Sequence, residues 1–75
     1  MANKRVFFAE CRKKKGTQKK VAVDNEISEV YVRMIENGTF TPGRDLMFQL
    51  SQYFGESIEI LFPDYFASKL KFNYR

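Results

Sequence analysis

Residues 17–38 constrain the fold of this chain more than any other stretch. They contain two short segments of helical periodicity, each following a hydroxyl residue (Thr17 or Ser28) that can cap a helix N-terminus. The first helix would have Val21 and Ala22 on one face, and the second would have Val32 and Ile35 on one face. Because both segments are short and closely joined, the two helices cannot run antiparallel over a long contact. They must cross steeply.

A steeply crossed pair of short helices is a helix-turn-helix. In such a pair, one helix can enter the major groove of DNA while the other crosses the phosphate backbone. Asn37-Gly38 then supplies a left-handed turn after the second helix. DNA binding is therefore the first functional hypothesis.

Composition removes several other classes of function. Seventy-five residues with 44 % hydrophobic content form one small domain. A single cysteine and no histidine exclude an internal disulfide and remove the commonest metal ligands and general base. We therefore expect no enzymatic activity, no metal and no cofactor. No apolar run reaches the length of a membrane span, so we expect a reduced, soluble, intracellular domain.

Charge is unevenly distributed along the chain. Residues 1–20 have eight cations and one acid, a net charge of +7, whereas residues 21–64 have two cations and eight acids, a net charge of −6. Residues 65–75 add +3. A charged stretch can be only a solvated face, but this segregation favours a polyanionic partner on the N-terminal side.

The pattern along the chain predicts an all-α, compact five-helix domain over residues 1–63. The predicted helices cover about 4–15, 18–24, 29–36 and 44–54, with a last one that Ser57 caps and Pro63 ends. Val6-Phe7-Phe8 could instead begin a strand. The predicted core residues are Phe8, Cys11, Val21, Ala22, Val32, Ile35, Met47, Leu50, Phe54, Ile58, Leu61 and Phe62, with help from Leu46 and Phe48.

Residues 64–75 form a predicted C-terminal arm. Within it, residues 69–75 alternate polar and apolar side chains, which is the period of a short half-buried β-strand. Such a strand needs a partner, either residues 5–8 or the same arm of a second subunit. A frayed terminus is the alternative.

The motif residues resemble one known family. The sequence has Thr17-Gln18-Lys19-Lys20-Val21-Ala22, Ile27-Ser28, Val32 and Ile35-Glu36-Asn37-Gly38 without a gap, followed by Pro42, Leu50-Ser51, Phe54-Gly55, Ser57-Ile58 and Leu61-Phe62. Over residues 5–62 this pattern resembles the phage repressor/Cro-like (XRE-type) helix-turn-helix family. The resemblance implies a Cro/repressor-like five-helix fold and binding to double-stranded DNA.

Four features depart from the family pattern. The turn before Thr17 is one residue short, and Arg44 and Glu56 stand where apolar residues are common. The motif turn contains Asn25-Glu26 where the family prefers an apolar residue followed by glycine. If Glu26 takes a positive φ there, the strain costs about 1 kcal/mol.

The resemblance makes residues 29–36 the recognition helix, with Glu29, Val30, Arg33 and Met34 as its base-reading residues. Glu29 can accept a hydrogen bond from a cytosine amino group, and Val30 or Met34 can contact a thymine methyl. Arg33 can reach guanine or a phosphate. As alternatives, Glu29 and Arg33 could pair with each other, and Val30 and Met34 could lie in a subunit contact.

Phosphate binding is expected on both sides of that helix. Gln18 opens the preceding helix, where amide donors and the helix dipole favour an anion. The expected phosphate-binding residues are Gln18, Lys19, Lys15, Lys14, Asn37, Thr39, Thr41 and Arg44. The resemblance also implies a structural ion pair between Glu36 and an arginine of the first helix, for which Arg12 is the best candidate.

These expectations describe a sequence-specific transcriptional regulator, most simply a repressor, that binds a palindromic operator as a homodimer. No small-molecule effector is expected. One alternative is an antitoxin-like or anti-repressor protein-interaction module on the same fold, and another is a non-specific nucleic-acid binder.

Overall fold

The structure of the protein, a computed structural model, describes residues 4–65. Its helices are α1 (Val6–Lys15), α2 (Gln18–Asp24), α3 (Glu29–Asn37), α4 (Arg44–Phe54) and α5 (Ile58–Leu61). Residues 63–65 are helical again at the end of the described chain. The predicted all-α fold class is confirmed, and Val6-Phe7-Phe8 is helical rather than extended. The strand predicted at 69–75 lies outside the described residues.

Three hydroxyl residues begin helices as predicted. The side chain of Thr17 accepts a hydrogen bond from the Lys20 amide of α2 at 3.1 Å, and that of Ser28 accepts one from the Tyr31 amide of α3 at 3.0 Å. Ser57 does the same for α5. Each bond satisfies one of the amides that a helix leaves unpaired in its first turn.

The C-terminus of α3 is formed by the Asn37-Gly38 turn. Gly38 adopts φ 81°, in the left-handed region, and its amide donates to the Ile35 carbonyl at 3.1 Å. The Thr39 amide donates to the Met34 carbonyl at 3.0 Å. Glycine is favoured at this position because a Cβ would crowd the following carbonyl oxygen. The chain therefore leaves α3 in a fixed direction and enters the loop that leads to α4.

One continuous core joins all five helices. Phe8 is fully buried, and its ring contacts those of Phe54 and Phe62 at centroid distances of 5.2 and 5.9 Å. Edge and tilted contacts of this kind add to the stabilisation from apolar burial. The buried apolar residues are Phe8, Cys11, Val21, Ala22, Val32, Ile35, Met47, Leu50, Leu61 and Phe62.

Two sequence expectations about the core and helix bounds are wrong. Phe48 is 58 % exposed, because it lies on the face of α4 opposite to the fully buried Leu50 and the nearly buried Met47. α1 begins at Val6 rather than at residue 4. Arg5 is the N-cap of α1, because its ψ of 86° lies outside the helical region, and its amide donates to the Glu36 carbonyl at 2.9 Å, which fixes the chain entry against α3.

The turn between α2 and α3 is fastened to α4. Asn25 is buried and its side-chain amide donates to the Val21 carbonyl at 2.8 Å. The Gln49 side chain of α4 donates to the Asn25 carbonyl at 3.0 Å and to its Oδ1 at 3.1 Å. Glu26 follows with φ 58°, the positive value anticipated for this position. These bonds fix the angle at which α3 leaves the turn.

Candidate nucleic-acid interface

The outer face of α3 is exposed and continuous. Glu29, Val30, Arg33 and Met34 all lie on it, with Val30 49 % and Met34 37 % exposed. The opposite face contains Val32 and Ile35, which are fully buried. Periodicity of 3.6 residues per turn produces this division. The four expected base-reading residues are thus brought together on one accessible side of the helix.

Glu29 and Arg33 do not neutralise each other. Their spacing permits an ion pair on the helix surface, yet among residues 4–65 the ion pairs are those of Arg5, Arg12 and Lys20 with other carboxylates. Both charged side chains are exposed. They are available to groups outside the chain.

A partly buried ion pair fixes α3 to α1. Arg12 Nε and Nη2 donate to Glu36 Oε1 and Oε2, each at 2.9 Å, and Arg12 Nη1 donates to the Gly16 carbonyl at 3.2 Å. The structure thereby brings together the two residues expected to pair. The bidentate geometry is the strongest form of such a contact.

The pKa of Glu36 lies below its usual value. The hydrogen bonds from Arg12 lower this pKa against the opposing effect of partial burial, and the neighbouring Gln18 side chain lowers it further. Gln18 is half-buried at the first position of α2, beside this carboxylate.

Arg5 is a second bridge, and sequence reasoning missed it. Its Nε and Nη2 donate to Asp64 Oδ1 and Oδ2 at 3.0 and 2.8 Å, and its Nη1 donates to the Ile35 and Phe40 carbonyls at 2.6 and 2.9 Å. Nη2 also donates to Thr41 Oγ1 at 2.7 Å. The side chain is 2 % exposed, and its guanidinium lies 5.0 Å from the centre of the Phe62 ring. No local pattern marks this arginine, because all its partners lie at least 30 residues away.

The Arg5 bridge also affects the acid that it binds. Partial burial raises the pKa of the Asp64 carboxyl, but the hydrogen bonds and charge of Arg5, with backbone hydrogen bonds, outweigh that effect. The pKa of Asp64 therefore lies below its usual value. The bridge links the entry to α1, the end of α3, the loop before α4 and the chain after α5.

The two threonines after α3 differ in their hydrogen bonds. The Thr39 hydroxyl donates its proton to the Met34 carbonyl at 3.2 Å and so closes the end of α3. The Thr41 hydroxyl instead accepts from Arg5. Since a hydroxyl has one proton to donate, Thr41 keeps its proton for an external acceptor, whereas that of Thr39 is already used.

The lysines expected to bind phosphate fall into two groups. The Lys15 ammonium lies 4.7 Å from the centre of the Tyr53 ring, a cation–π contact. Lys14 and Lys19 are exposed, and within residues 4–65 they form no ion pair. Asn37 is half-buried at the end of α3, and Arg44 is exposed at the start of α4.

Internal ion pairs use part of the N-terminal charge. Of the eight cations in residues 1–20, Arg5, Arg12 and Lys20 pair with Asp64, Glu36 and Asp24. Asp24 also accepts a hydrogen bond from the Tyr53 hydroxyl at 2.6 Å. Burial and this bond raise the pKa of Tyr53 to about 12. The net charge counted for residues 1–20 therefore overstates the positive charge that this segment can offer to an anionic partner.

The remaining surface gives little sign of other chemistry. Among residues 4–65, no group of three or more Cys, Asp and Glu side chains is placed to hold a metal ion. In the same part of the chain, no helix is both long and apolar enough to cross a membrane.

Comparison with known proteins agrees with this geometry. A family model described as "Helix-turn-helix", of the XRE type, matches residues 8–61, which is well over half of the chain. No curated protein and no solved structure matches it significantly. The matched region covers α2 and α3 and the buried residues that hold them together. The chain belongs to the XRE-type, Cro/repressor-like helix-turn-helix family of DNA-binding transcription regulators.

Proposed function

We propose that this protein is a sequence-specific regulator, most simply a repressor, that inserts α3 into the major groove of an operator. The observation that supports this most directly is the outer face of α3. Glu29, Val30, Arg33 and Met34 are exposed there, and within residues 4–65 neither of the two charged side chains forms an ion pair, while Val32 and Ile35 on the inner face are fully buried. An exposed helix fixed on a rigid core has the dimensions that the major groove admits.

The side chains on the outer face of α3 determine which base groups this helix can contact. Glu29 accepts from the amino group of a cytosine, and Arg33 donates to a guanine or a phosphate. Val30 and Met34 contact thymine methyl groups, which accounts for two apolar side chains exposed on a helix with a buried opposite face. The preferred operator then contains thymine opposite the middle of α3.

Phosphate contacts come from residues on either side of α3. Gln18, Lys14 and Lys19 approach one strand, and Asn37, Thr41 and Arg44 approach the other. Such contacts position the protein without reading sequence. Lys15 and Thr39 are weaker candidates, because Tyr53 and the Met34 carbonyl already engage their polar groups.

The proposal includes a homodimer on a palindromic operator. Two α3 helices would then lie about one helical turn apart, roughly 34 Å along the duplex. Occupancy of an operator that overlaps a promoter would block polymerase. We further propose that the protein acts in the cytoplasm of a bacterial or phage-infected cell, where concentration, a partner or proteolysis regulates it.

Selection from a random duplex pool, followed by a salt titration, tests the proposal. Arg33→Ala and Met34→Ala should change the preferred sequence, whereas Lys19→Ala should weaken binding to every duplex and reduce the slope of log K against log salt by about 0.9. Lys20→Ala is the matched control, because Lys20 is already paired with Asp24. It should leave the slope near that of the wild type. Equal losses on all duplexes for all three test variants would refute α3 as the reader.

One observation favours the protein-interaction alternative. Val6, Phe7 and Ile60 are exposed and line one depression beside Leu61 and Pro63. An interaction module using that surface would show neither the salt slope nor a large preference for one duplex. A non-specific binder would show the slope without the preference. The same titration therefore distinguishes all three functions.

A further inference from the structure

The Arg5 guanidinium has a complete set of partners. A guanidinium carries five N–H donors in a fixed planar arrangement. In this chain those donors meet Asp64 twice, the Ile35 carbonyl, the Phe40 carbonyl and the Thr41 hydroxyl. No other side chain can supply five donors in one plane. This position therefore requires the shape of an arginine side chain as well as its charge.

Two of these bonds act on the loop between α3 and α4. The Phe40 carbonyl and the Thr41 hydroxyl are held at 2.9 and 2.7 Å by one buried group that is also bonded to the end of α3. The loop is thereby fixed relative to the exposed face of α3. Because Thr41 accepts from Arg5, its own proton is directed away from Arg5 and toward solvent, where Thr41 is exposed.

We propose that Arg5 is a positioning residue for DNA binding: it orients Thr41 so that the hydroxyl donates to a backbone phosphate beside the groove occupied by α3. The inference rests on the proposed function. Arg5 itself does not touch DNA, since it is buried and its charge is balanced by Asp64. Its effect on affinity passes through Thr41.

A double-mutant cycle tests this. Thr41→Val should weaken binding about tenfold or more on every duplex, the loss expected for one hydrogen bond to a charged phosphate. Arg5→Lys should cause a similar loss, and the Arg5→Lys/Thr41→Val double variant should bind no more weakly than Thr41→Val alone. The slope of log K against log salt should stay at the wild-type value in all three. Folded fractions are checked by circular dichroism at the assay temperature.

Each competing role of Arg5 gives a different result. A direct phosphate contact by Arg5 would lower the salt slope by about 0.9 in Arg5→Lys. A purely structural role would make the losses of the two single variants additive, or leave folded Arg5→Lys with wild-type affinity. Either result overturns the proposal. Asp64→Asn is the matched control, since it weakens the ion pair of Arg5 but leaves the bonds to Phe40 and Thr41; its affinity should be that of the wild type.

A conservative substitution at Thr41 and a hydrogen-exchange measurement add two further tests. Thr41→Ser, which retains the hydroxyl, should bind like the wild type, and this comparison needs no change at Arg5 if Arg5→Lys does not fold. Without DNA, hydrogen exchange of the Gly38 and Thr39 amides, which donate to the Ile35 and Met34 carbonyls at the end of α3, should be faster in Arg5→Lys than in Asp64→Asn. If wild-type protein binds no duplex, the proposed function fails; if it binds and the cycle is additive, only the role of Arg5 fails.

Discussion

At the scale of single residues, the turn of the helix-turn-helix shows how a sequence departure is accommodated. Glu26 occupies the left-handed region at φ 58°, where a side chain is strained. Asn25 beside it is buried, bonds back to Val21, and accepts two hydrogen bonds from Gln49. These contacts hold the turn in place although Glu26 is unfavourable there. The strain is in the backbone of Glu26, and substitutions at that position can measure it.

We predict that Glu26→Gly stabilises the protein by about 0.5 kcal/mol, because relief of about 1 kcal/mol of strain exceeds the entropy that glycine loses on folding. Glu26→Val should destabilise it, since a β-branched residue tolerates this region poorly. Urea unfolding measures both changes. Glu59→Gly is the matched control: in the helical α5 the same substitution should cost about 0.5–1 kcal/mol. Equal effects at positions 26 and 59 would argue against strain at Glu26.

At the scale of elements, α1 and the Arg5 residue that precedes it hold the domain together. Arg5 and Arg12 fasten it to α3 and to the chain after α5. Phe8 lies between Phe54 of α4 and Phe62 after α5. The position of α3 therefore depends on the contacts of α1 and Arg5 as well as on its own buried face.

Phe8→Ala should cost about 3–5 kcal/mol, because the fully buried ring would leave a cavity among other rings. That loss is comparable with the whole stability of a 75-residue domain, roughly 4–11 kcal/mol. Phe48→Ala removes the same ring from an exposed site and should change stability by less than about 0.5 kcal/mol. Thermal unfolding by circular dichroism compares the two. Similar melting temperatures would contradict the core described here.

At the scale of the whole molecule, opposite charges far apart in sequence meet in the fold. Arg12–Glu36 and Arg5–Asp64 join positions 24 and 59 residues apart. The acidic middle of the chain is thus partly the internal counterpart of the basic N-terminal segment. Both acids have a pKa below their ordinary value, so the stability of the protein depends on pH.

The free energy of unfolding should be nearly constant between about pH 5 and 8, since the chain has no histidine. Below about pH 4.5 it should fall, because the unfolded chain binds protons at Glu36 and Asp64 more readily than the folded protein does. Glu36→Gln should lower the plateau by about 1–2 kcal/mol and make the acid decline shallower. Urea unfolding at several pH values measures this. Glu59→Gln, which breaks no ion pair of the described chain, should keep the wild-type pH profile.

The sequence by itself determined the helices, their caps and the two faces of α3, because these depend on residues three or four apart. Thr17, Ser28 and Gly38 act as local chemistry requires, and Val32 and Ile35 point inward because of helical periodicity. The family motif added the expectation of an Arg12–Glu36 pair. Only the tertiary structure decided the role of Arg5, the exposure of Phe48 and the different hydrogen bonds of Thr39 and Thr41. These depend on which distant segments meet, and partners far apart in the chain leave no periodic signal in the sequence.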